Sequence, residues 1–524
     1  MNGTEDRAQA VQHGDSREPE LPVTPVTLDT SAGFGAPNPS PTRHPESATR
    51  HPNPEKLGQN VVGQDIAAEL SPDWIWDDVE SRWYHRPETD GIWSPVNKRR
   101  LRVIVSELIA DRYRPDHSLA WLHGVIEFMR DRMALESWTD IRHLLPMRNG
   151  VLDLRSGELL GYDTDPEWRW RWQLPYGFEP GAECPGIHEL LEQMASGDGA
   201  FLRLLYAWLH CLLTGRHDLQ KFAELIGPGG TGKSTFLRLA TLLVGEGNTV
   251  STNLRALEGN TYETANLYGR RLVLIADAEK HGGEISTLKS LTGGDLIRLE
   301  KKFQQQELPF VFTGMVMIAA NQPMTSSDYT SGLSRRRLPI SFSRRVTEAD
   351  HDRYSDKDRY PNGVDTMLRE QMPGLINHLL AMDPAEAART LTCAEEGVEA
   401  HRLEIELETN PLLAWANEHL AICAADEAES GIGTADGGPG DGLFPSYVHY
   451  CHGANCRPDS ITTFSRSLAD QLQARGIETE KKRRKAGACL VGLRLRRPTD
   501  ESSGLLTMIV GRPSAVVTGS VTGR

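Results

Sequence analysis

Phe222-Ala-Glu-Leu-Ile226, Gly227-Pro-Gly-Gly-Thr-Gly-Lys-Ser234 and Thr235-Phe-Leu-Arg-Leu-Ala-Thr-Leu-Leu-Val244 follow one another without a break. An apolar run of strand length, a glycine loop ending in Lys-Ser and a stretch of helical spacing form the phosphate-binding pattern with the flanks it requires. Glycines let backbone N–H groups approach phosphate oxygens, and the N-terminus of the following helix attracts anions. Lys233 can reach the outer phosphates and Ser234 can ligate Mg²⁺. We therefore read Gly227, Pro228, Gly229, Gly230, Thr231, Gly232, Lys233, Ser234 and Thr235 as a binding loop for ATP, or another nucleoside triphosphate, with Mg²⁺. Gly227, Gly229 and Gly232 also fit Gly-x-Gly-x-x-Gly. A dinucleotide site wants an acid about 20 positions on to hold a ribose, and the region around Ser251-Thr-Asn-Leu254 has none.

The chain of 524 residues is too long for one core and carries a net charge of −15, which argues against a general nucleic-acid coat protein. Binding to nucleic acid would have to be local, and two basic clusters permit it, Lys301-Lys302 and Lys481-Lys-Arg-Arg-Lys485. Seven cysteines without repeated spacing suit reduced thiols in a cytoplasm. The start has no basic and apolar leader, and the apolar stretch 200–213 is short for a bilayer span, so a cytoplasmic protein without membrane contact is expected.

Residues 1–64, rich in Pro, Ser and Thr, offer too little apolar surface to offset ordering entropy and read as a disordered tail. A mixed α/β N-terminal domain follows over 65–215, with strands near Trp74 and Trp83, a strand-turn-strand at Leu145 to Leu154 and an alternating Trp168, Trp170, Trp172 strand. The α/β ATPase core spans 216–350 and a helical subdomain 351–428, anchored by Met367, Leu375, Leu412 and Trp415. A Gly-rich linker at 429–442 leads to a small C-terminal module at 443–500, helical with a β wing, and residues 501–524 form a flexible tail.

Beyond the loop, the buried run Arg271-Leu-Val-Leu-Ile-Ala276 ends in Asp277-Ala-Glu279. Of two carboxylates at such a strand end, one holds Mg²⁺ and the other orients the attacking water; Asp277 is assigned to the first task and Glu279 to the second, or to capping the next element. A second run, Met315-Val-Met-Ile-Ala-Ala320, ends in Asn321, which can hold the lytic water or simply turn the chain. Ser334-Arg-Arg-Arg-Leu338 precedes another short strand, and Arg336 or Arg337 could meet a neighbour's γ-phosphate or belong to a solvated basic turn.

Lys289-Ser-Leu-Thr-Gly-Gly-Asp295, between the acidic strand and Asn321, resembles the extra motif of superfamily 3 helicases, especially phage and plasmid primase-helicases and their poxvirus-type relatives. The order of glycine loop, acidic strand, Thr-Gly-Gly-Asp, sensor Asn and Arg-Arg carries that resemblance, with Arg148-Asn-Gly-Val-Leu-Asp-Leu154, Tyr176-Gly-Phe and Cys184-Pro185 upstream. The resemblance implies an AAA+-like P-loop NTPase core, a winged-helix module at the C-terminus and an ATP-driven DNA helicase of phage, prophage or plasmid replication. It implies a homo-oligomeric ring, a hexamer, with Arg336 or Arg337 as the arginine finger and Lys289 to Lys302 as a channel hairpin on single-stranded DNA. Lys289, Arg298, Lys301 and Lys302 would grip the DNA backbone. Lys481, Lys482, Arg483 and Arg484 would add origin or duplex contacts, and a separate primase or polymerase would be a partner. Asp-Ala-Glu departs from the acidic pattern usual in relatives. No primase-length segment precedes residue 65, so priming by this chain is not expected. The competing reading is an ATP-binding initiator or loader that assembles on DNA without unwinding it; a third is a small-molecule kinase, which would need a substrate lid.

Overall fold

The computed structural model divides the chain into Met1–Pro54 and Glu55–Arg524. It describes residues 57–87, 91–113, 116–276, 283–300, 309–326, 331–393, 396–423, 429–477, 479–485, 487–500 and 504–510.

The first folded stretch is α1 (Gln59–Leu70), the antiparallel strands β1 (Trp74–Asp77), β2 (Arg82–His85) and β3 (Ser94–Val96), then α2 (Lys98–Arg112) and α3 (Leu119–Arg132). Caps set both helix starts: the Asn97 side chain accepts the Arg99 N–H, and that of Ser118 accepts the Trp121 N–H. Leu101, Val105 and Ile109 recur every fourth residue on α2 and close over Val62, Ile66, Trp76, Val125 and Met129.

The predicted strand-turn-strand is present as β4 (Leu144–Met147) and β5 (Gly150–Asp153), followed by β6 (Leu159–Leu160). The Trp168 to Trp172 strand is not. Single bonds hold this run, from the Trp93 N–H to the Trp170 carbonyl and from the Thr139 N–H to the Arg169 carbonyl, so no ladder forms. Burial of Trp168 and Trp170, edge to face, supplies the alternation that looked like a strand. Then come α4 (Pro185–Ala195) and α5 (Gly199–Leu213), the latter capped by Asp198 and buried almost all round from Leu204 to Leu213.

The centre is a five-stranded parallel sheet. Its strands are β7 (Phe222–Ile226), β8 (Thr249–Asn253), β9 (Leu272–Ala276), β12 (Met315–Ala320) and β13 (Arg337–Ser341), in the order β13-β7-β12-β9-β8. Between them run α6 (Lys233–Val244), α7 (Leu254–Gly259), α8 (Ser286–Gly293), the short strands β10 (Leu296–Ile297) and β11 (Phe310–Val311), and α9 (Ser331–Ser334). A parallel sheet is covered on both faces, which is why its central strands are almost wholly apolar. Alternate residues serve two cores: Ala223, Leu225, Met315 and Met317 face α5 and α6, whereas Phe222, Val316, Ile318, Val273 and Ile275 face α7 and α8.

The chain continues through α10 (Glu348–Asp352), α11 (Val364–Glu370), α12 (Met372–Leu380), α13 (Pro384–Thr392), α14 (Glu396–Thr409), α15 (Pro411–His419), β14 (Leu420–Ile422), β15 (Glu429–Gly431), α16 (Leu443–Gly453), α17 (Ile461–Gln473), β16 (Glu480–Arg484), β17 (Gly487–Val491), β18 (Leu493–Leu495) and α18 (Leu505–Val510). Two expectations change here. The 351–428 stretch is not one subdomain: Met367, Leu375 and Leu391 join the core of α5, while Leu412 and Trp415 pack with Tyr447, Phe464 and Leu493. Nor is 429–442 a bare linker, because β15 pairs with β17 and the Ile432 N–H donates to the Ala488 carbonyl. Among the described residues no helix is long and apolar enough to cross a membrane.

Candidate functional site

Strand register puts five strand ends level. Ile226 lies beside both Ser341 and Ala320, Ala319 beside Ala276, and Ala276 beside Asn253. The carboxyl ends of parallel strands are where loops converge and ligands bind in such sheets. Because β12 stands between β7 and β9, Asn321 emerges directly next to the glycine loop. Asp277 and Glu279 lie outside the described residues.

The glycine loop leaves β7 at Gly227, whose φ of 149° and packing leave no room for a side chain: a Cβ would collide with the Phe342 carbonyl. It enters α6 through Gly232 at φ 91°. The N-cap of α6 is Gly232, which has no side chain to cap the first turn, and Gly229 to Thr235 line the cleft. The Lys233 ammonium is held at the loop's inner edge, donating to the carbonyls of Gly227 (2.5 Å) and Pro228 (2.9 Å), with Asn321 Oδ1 at 3.4 Å. Thr231 Oγ1 closes the turn onto the Pro228 carbonyl, and the Val346 N–H donates to the Gly230 carbonyl. Ser234 is exposed at the start of the helix.

This loop floors a cleft of about 680 Å³, a volume in the range of small-molecule sites. Leu190, Gln193 and Met194 of α4 line it together with Arg344, Asp350, Tyr354 and Val364. Gln371 Oε1 accepts the Gly186 N–H, at 2.7 Å, and so fixes the uncapped start of α4. Arg344 pairs with Asp350 at 2.9 Å, and the Thr347 N–H and hydroxyl both donate to the same carboxylate. The Thr347 amide, then its hydroxyl and Arg344, hold the Asp350 carboxyl below its ordinary range. Burial pushes the Tyr354 phenol up.

The two candidate finger arginines lie away from this opening. Arg337, 4 % exposed, forms an ion pair with the fully buried Glu224 and donates to Thr409 Oγ1 at 3.1 Å. Glu224 in turn accepts the Met324 N–H. In this structure the Arg337 guanidinium is committed to a buried carboxylate, an arrangement that differs from the exposed finger expected of it. Arg336 is 9 % exposed and donates to the Gly332 carbonyl; exposed Arg335 lies next to it. The signal for the ion pair was a lone Glu in the apolar run of β7 and an Arg opening β13, yet only the strand order joins them. Arg344 was also missed, since one arginine after a strand carries no pattern.

The proposed DNA-contacting residues separate. Lys289 lies on α8, not on a hairpin, because Ser286 to Gly293 is helical. Within the expected 289–302 segment, β10 pairs antiparallel with β11, which lies beyond it, and Arg298 is exposed beside them. Lys301 and Lys302 lie outside the described residues. Lys481, Lys482, Arg483 and Arg484 lie on β16, an edge strand; Lys481 donates to Ser465 Oγ on α17 and Lys482 pairs with Glu480.

Two family models match: "D5 N terminal like" over residues 66–196, and a family of unknown function, DUF5906, over 225–337. The first falls on the segment ahead of the sheet and supports the primase-helicase resemblance. The apo C-terminal region of NrS-1 is similar in structure, with 12 % identity, a TM-score of 0.46 and coverage of 84 % of this chain and 100 % of that one. A second apo structure of that region gives 12 % identity and a TM-score of 0.45, covering 85 % of this chain and 100 % of that one. An uncharacterized mitochondrial protein, ymf21 of Marchantia polymorpha, is 36 % identical over 123 residues, which span 21 % of this chain and 67 % of that protein. By that coverage and identity the chain belongs to the family of the Marchantia polymorpha mitochondrial protein, and the segment ahead of its parallel sheet is similar to the D5 N terminal like family.

Proposed function

We propose that this chain is an ATP-driven DNA helicase of replication, working as a homo-oligomeric ring. The observation that carries the reading is the Lys233 ammonium, held by two carbonyls and Asn321 below an uncapped helix start in a cleft of about 680 Å³. Backbone N–H groups and a fixed cation around a cavity suit a polyphosphate. On ATP binding, Lys233 exchanges its carbonyl partners for phosphate oxygens. Ser234 and Asp277 hold Mg²⁺, Glu279 orients the attacking water, and Asn321 reports the γ-phosphate. Arg344, which lines the same cleft, turns from Asp350 toward the phosphates. Arg336, or the exposed Arg335, serves the neighbouring subunit. Arg298, Lys301 and Lys302 around the hairpin hold single-stranded DNA, and the C-terminal unit acts as a winged-helix-like module with Arg483 and Arg484 on duplex DNA.

ATP hydrolysis measured with and without single-stranded DNA, together with strand separation, tests this. Wild type is expected to be stimulated by DNA, Lys233→Ala to lose turnover, and Glu279→Gln to bind ATP without hydrolysing it. Undiminished turnover in Lys233→Ala overturns the site. ATP binding and assembly on DNA without strand separation would favour the initiator or loader.

A further inference from the structure

The run Lys98-Arg-Arg-Leu-Arg102 opens α2 and has no part in the cleft. Its placement is unfavourable for the helix, because the N-terminal end of a helix carries partial positive charge and disfavours cations. No acid in the first turn offsets it. Lys98, Arg99 and Arg100 are exposed, and Arg99, Arg100 and Arg102 have no ion pair among the described residues. More positive charge converges from neighbouring elements. Lys98 Nζ and the Arg130 guanidinium both sit over the Trp76 ring, 5.9 and 5.4 Å from its centroid, with Arg130 also paired to Glu127. The register Trp83 opposite Val96 brings exposed Arg82 alongside Asn97. Acids are present too: Asp78 accepts the Trp76 indole N–H, Glu127 pairs with Arg130, and Asp77 lies opposite Arg82 in the strand register.

In a chain of net charge −15, such a concentration of cations on one helix end is a local feature with its own ligand chemistry. We propose that it is a second nucleic-acid surface, on the segment similar to the D5 N terminal like family, that grips the DNA sugar-phosphate backbone without reading bases. Arginine dominates it, and the planar guanidinium fork fits phosphate. The helix row Leu101, Val105 and Ile109 is turned into the core, Ile104 and Leu108 pack partly against it, and Val103 is a single exposed apolar side chain rather than the row that entry into a bilayer needs. This proposal rests on the motor reading only for the choice of polymer; binding at α2 needs neither ATP nor the hairpin.

The test uses the full chain without nucleotide. A fluorescent oligonucleotide, single-stranded or duplex, is titrated over a range of salt concentrations against wild type and the triple variant Arg99→Ala, Arg100→Ala, Arg102→Ala. Each lost phosphate contact lowers the slope of log affinity against log salt by about 0.7 to 0.9, so a slope shallower by about 2 and a roughly tenfold or greater loss of affinity are expected. The triple Lys variant is expected to keep most of the slope, which separates charge from misfolding. Unchanged affinity and slope in the Ala variant overturn the proposal, as does a loss confined to vesicles of anionic lipid. ATP hydrolysis without DNA is expected to be equal in wild type and the Ala variant. If neither protein hydrolyses ATP yet the slope still falls, the motor reading fails and this surface stands.

Discussion

The two ends of β13 use arginine in opposite ways. At the entry, Arg337 is sealed between Glu224 and Thr409, its charge matched inside the sheet. At the exit, seven residues on from that strand's first, Arg344 lies in the cleft, half-buried and, among the described residues, bound only to Asp350, beside the segment that bonds the glycine loop through Val346. The difference is one of alternatives. A buried ion has no water to fall back on, so losing its partner is costly. A cation at a cleft rim can change partners at little cost, which is what ligand binding requires.

The largest expected effect breaks the entry side. Arg337→Ala leaves Glu224 as an uncompensated buried carboxylate, and unfolding by denaturant should show a loss of about 3 to 5 kcal/mol. Replacing the pair together, Arg337→Met with Glu224→Leu, should recover most of that loss. If the double variant also retains ATP turnover, the pair is structural only; lost turnover in a stable double variant would return Arg337 to the chemistry.

The exit side should behave in reverse. Arg344→Ala is expected to leave the unfolding transition within about 0.5 kcal/mol of wild type, as a surface change does, while slowing ATP hydrolysis roughly 10²-fold if its guanidinium meets developing phosphate charge. Equal turnover in wild type and variant would remove Arg344 from the site and leave the contrast between the two ends without function. Smaller again is the cap of α5, the helix that backs the sheet. Asp198→Ala removes the acceptor of two N–H groups and should lower stability by about 1 kcal/mol without touching turnover.

These contrasts also mark what the sequence could disclose. The apolar strands β7, β9 and β12, the glycine loop and the buried helix α5 are local patterns, and each is found where periodicity placed it. Glu224 with Arg337 could not be paired, because their residues are 113 apart and meet only when β13 is added beside β7. Trp415 shows the same limit: helical spacing identifies a buried face but not which core it enters, and it closes on Tyr447 and Phe464 rather than on α12. The cleft was half legible. Its floor is a contiguous motif, whereas its walls come from α4 and the 344–364 segment, which no spacing rule connects. The basic start of α2 was readable as charge, but its meaning depends on knowing that Lys98 begins a helix.

The finest test of the comparison concerns a buried group whose hydrogen-bond partner is a neutral carbonyl rather than an opposite charge. His210, on α5, has its Nδ1 at 2.8 Å from the Leu379 carbonyl. A carbonyl only accepts, so Nδ1 carries the proton, and Nε2 is buried without a partner among the described residues. Burial, opposed only in part by that carbonyl, holds the imidazole below its ordinary value of 6.5. The folded protein therefore resists protonation at a pH where the unfolded chain accepts it. Above the unfolded value both states are neutral and His210 contributes nothing to the pH dependence; as pH falls through it, the unfolded state binds the extra proton and stability declines. Melting temperature should thus drop between about pH 7.5 and about pH 5.5, and His210→Gln should flatten part of that drop while lowering stability at the higher pH through its altered packing. A variant whose pH profile runs parallel to wild type would show that the proton enters elsewhere, and that the buried side of the sheet tolerates a bare histidine charge that it does not tolerate at Glu224.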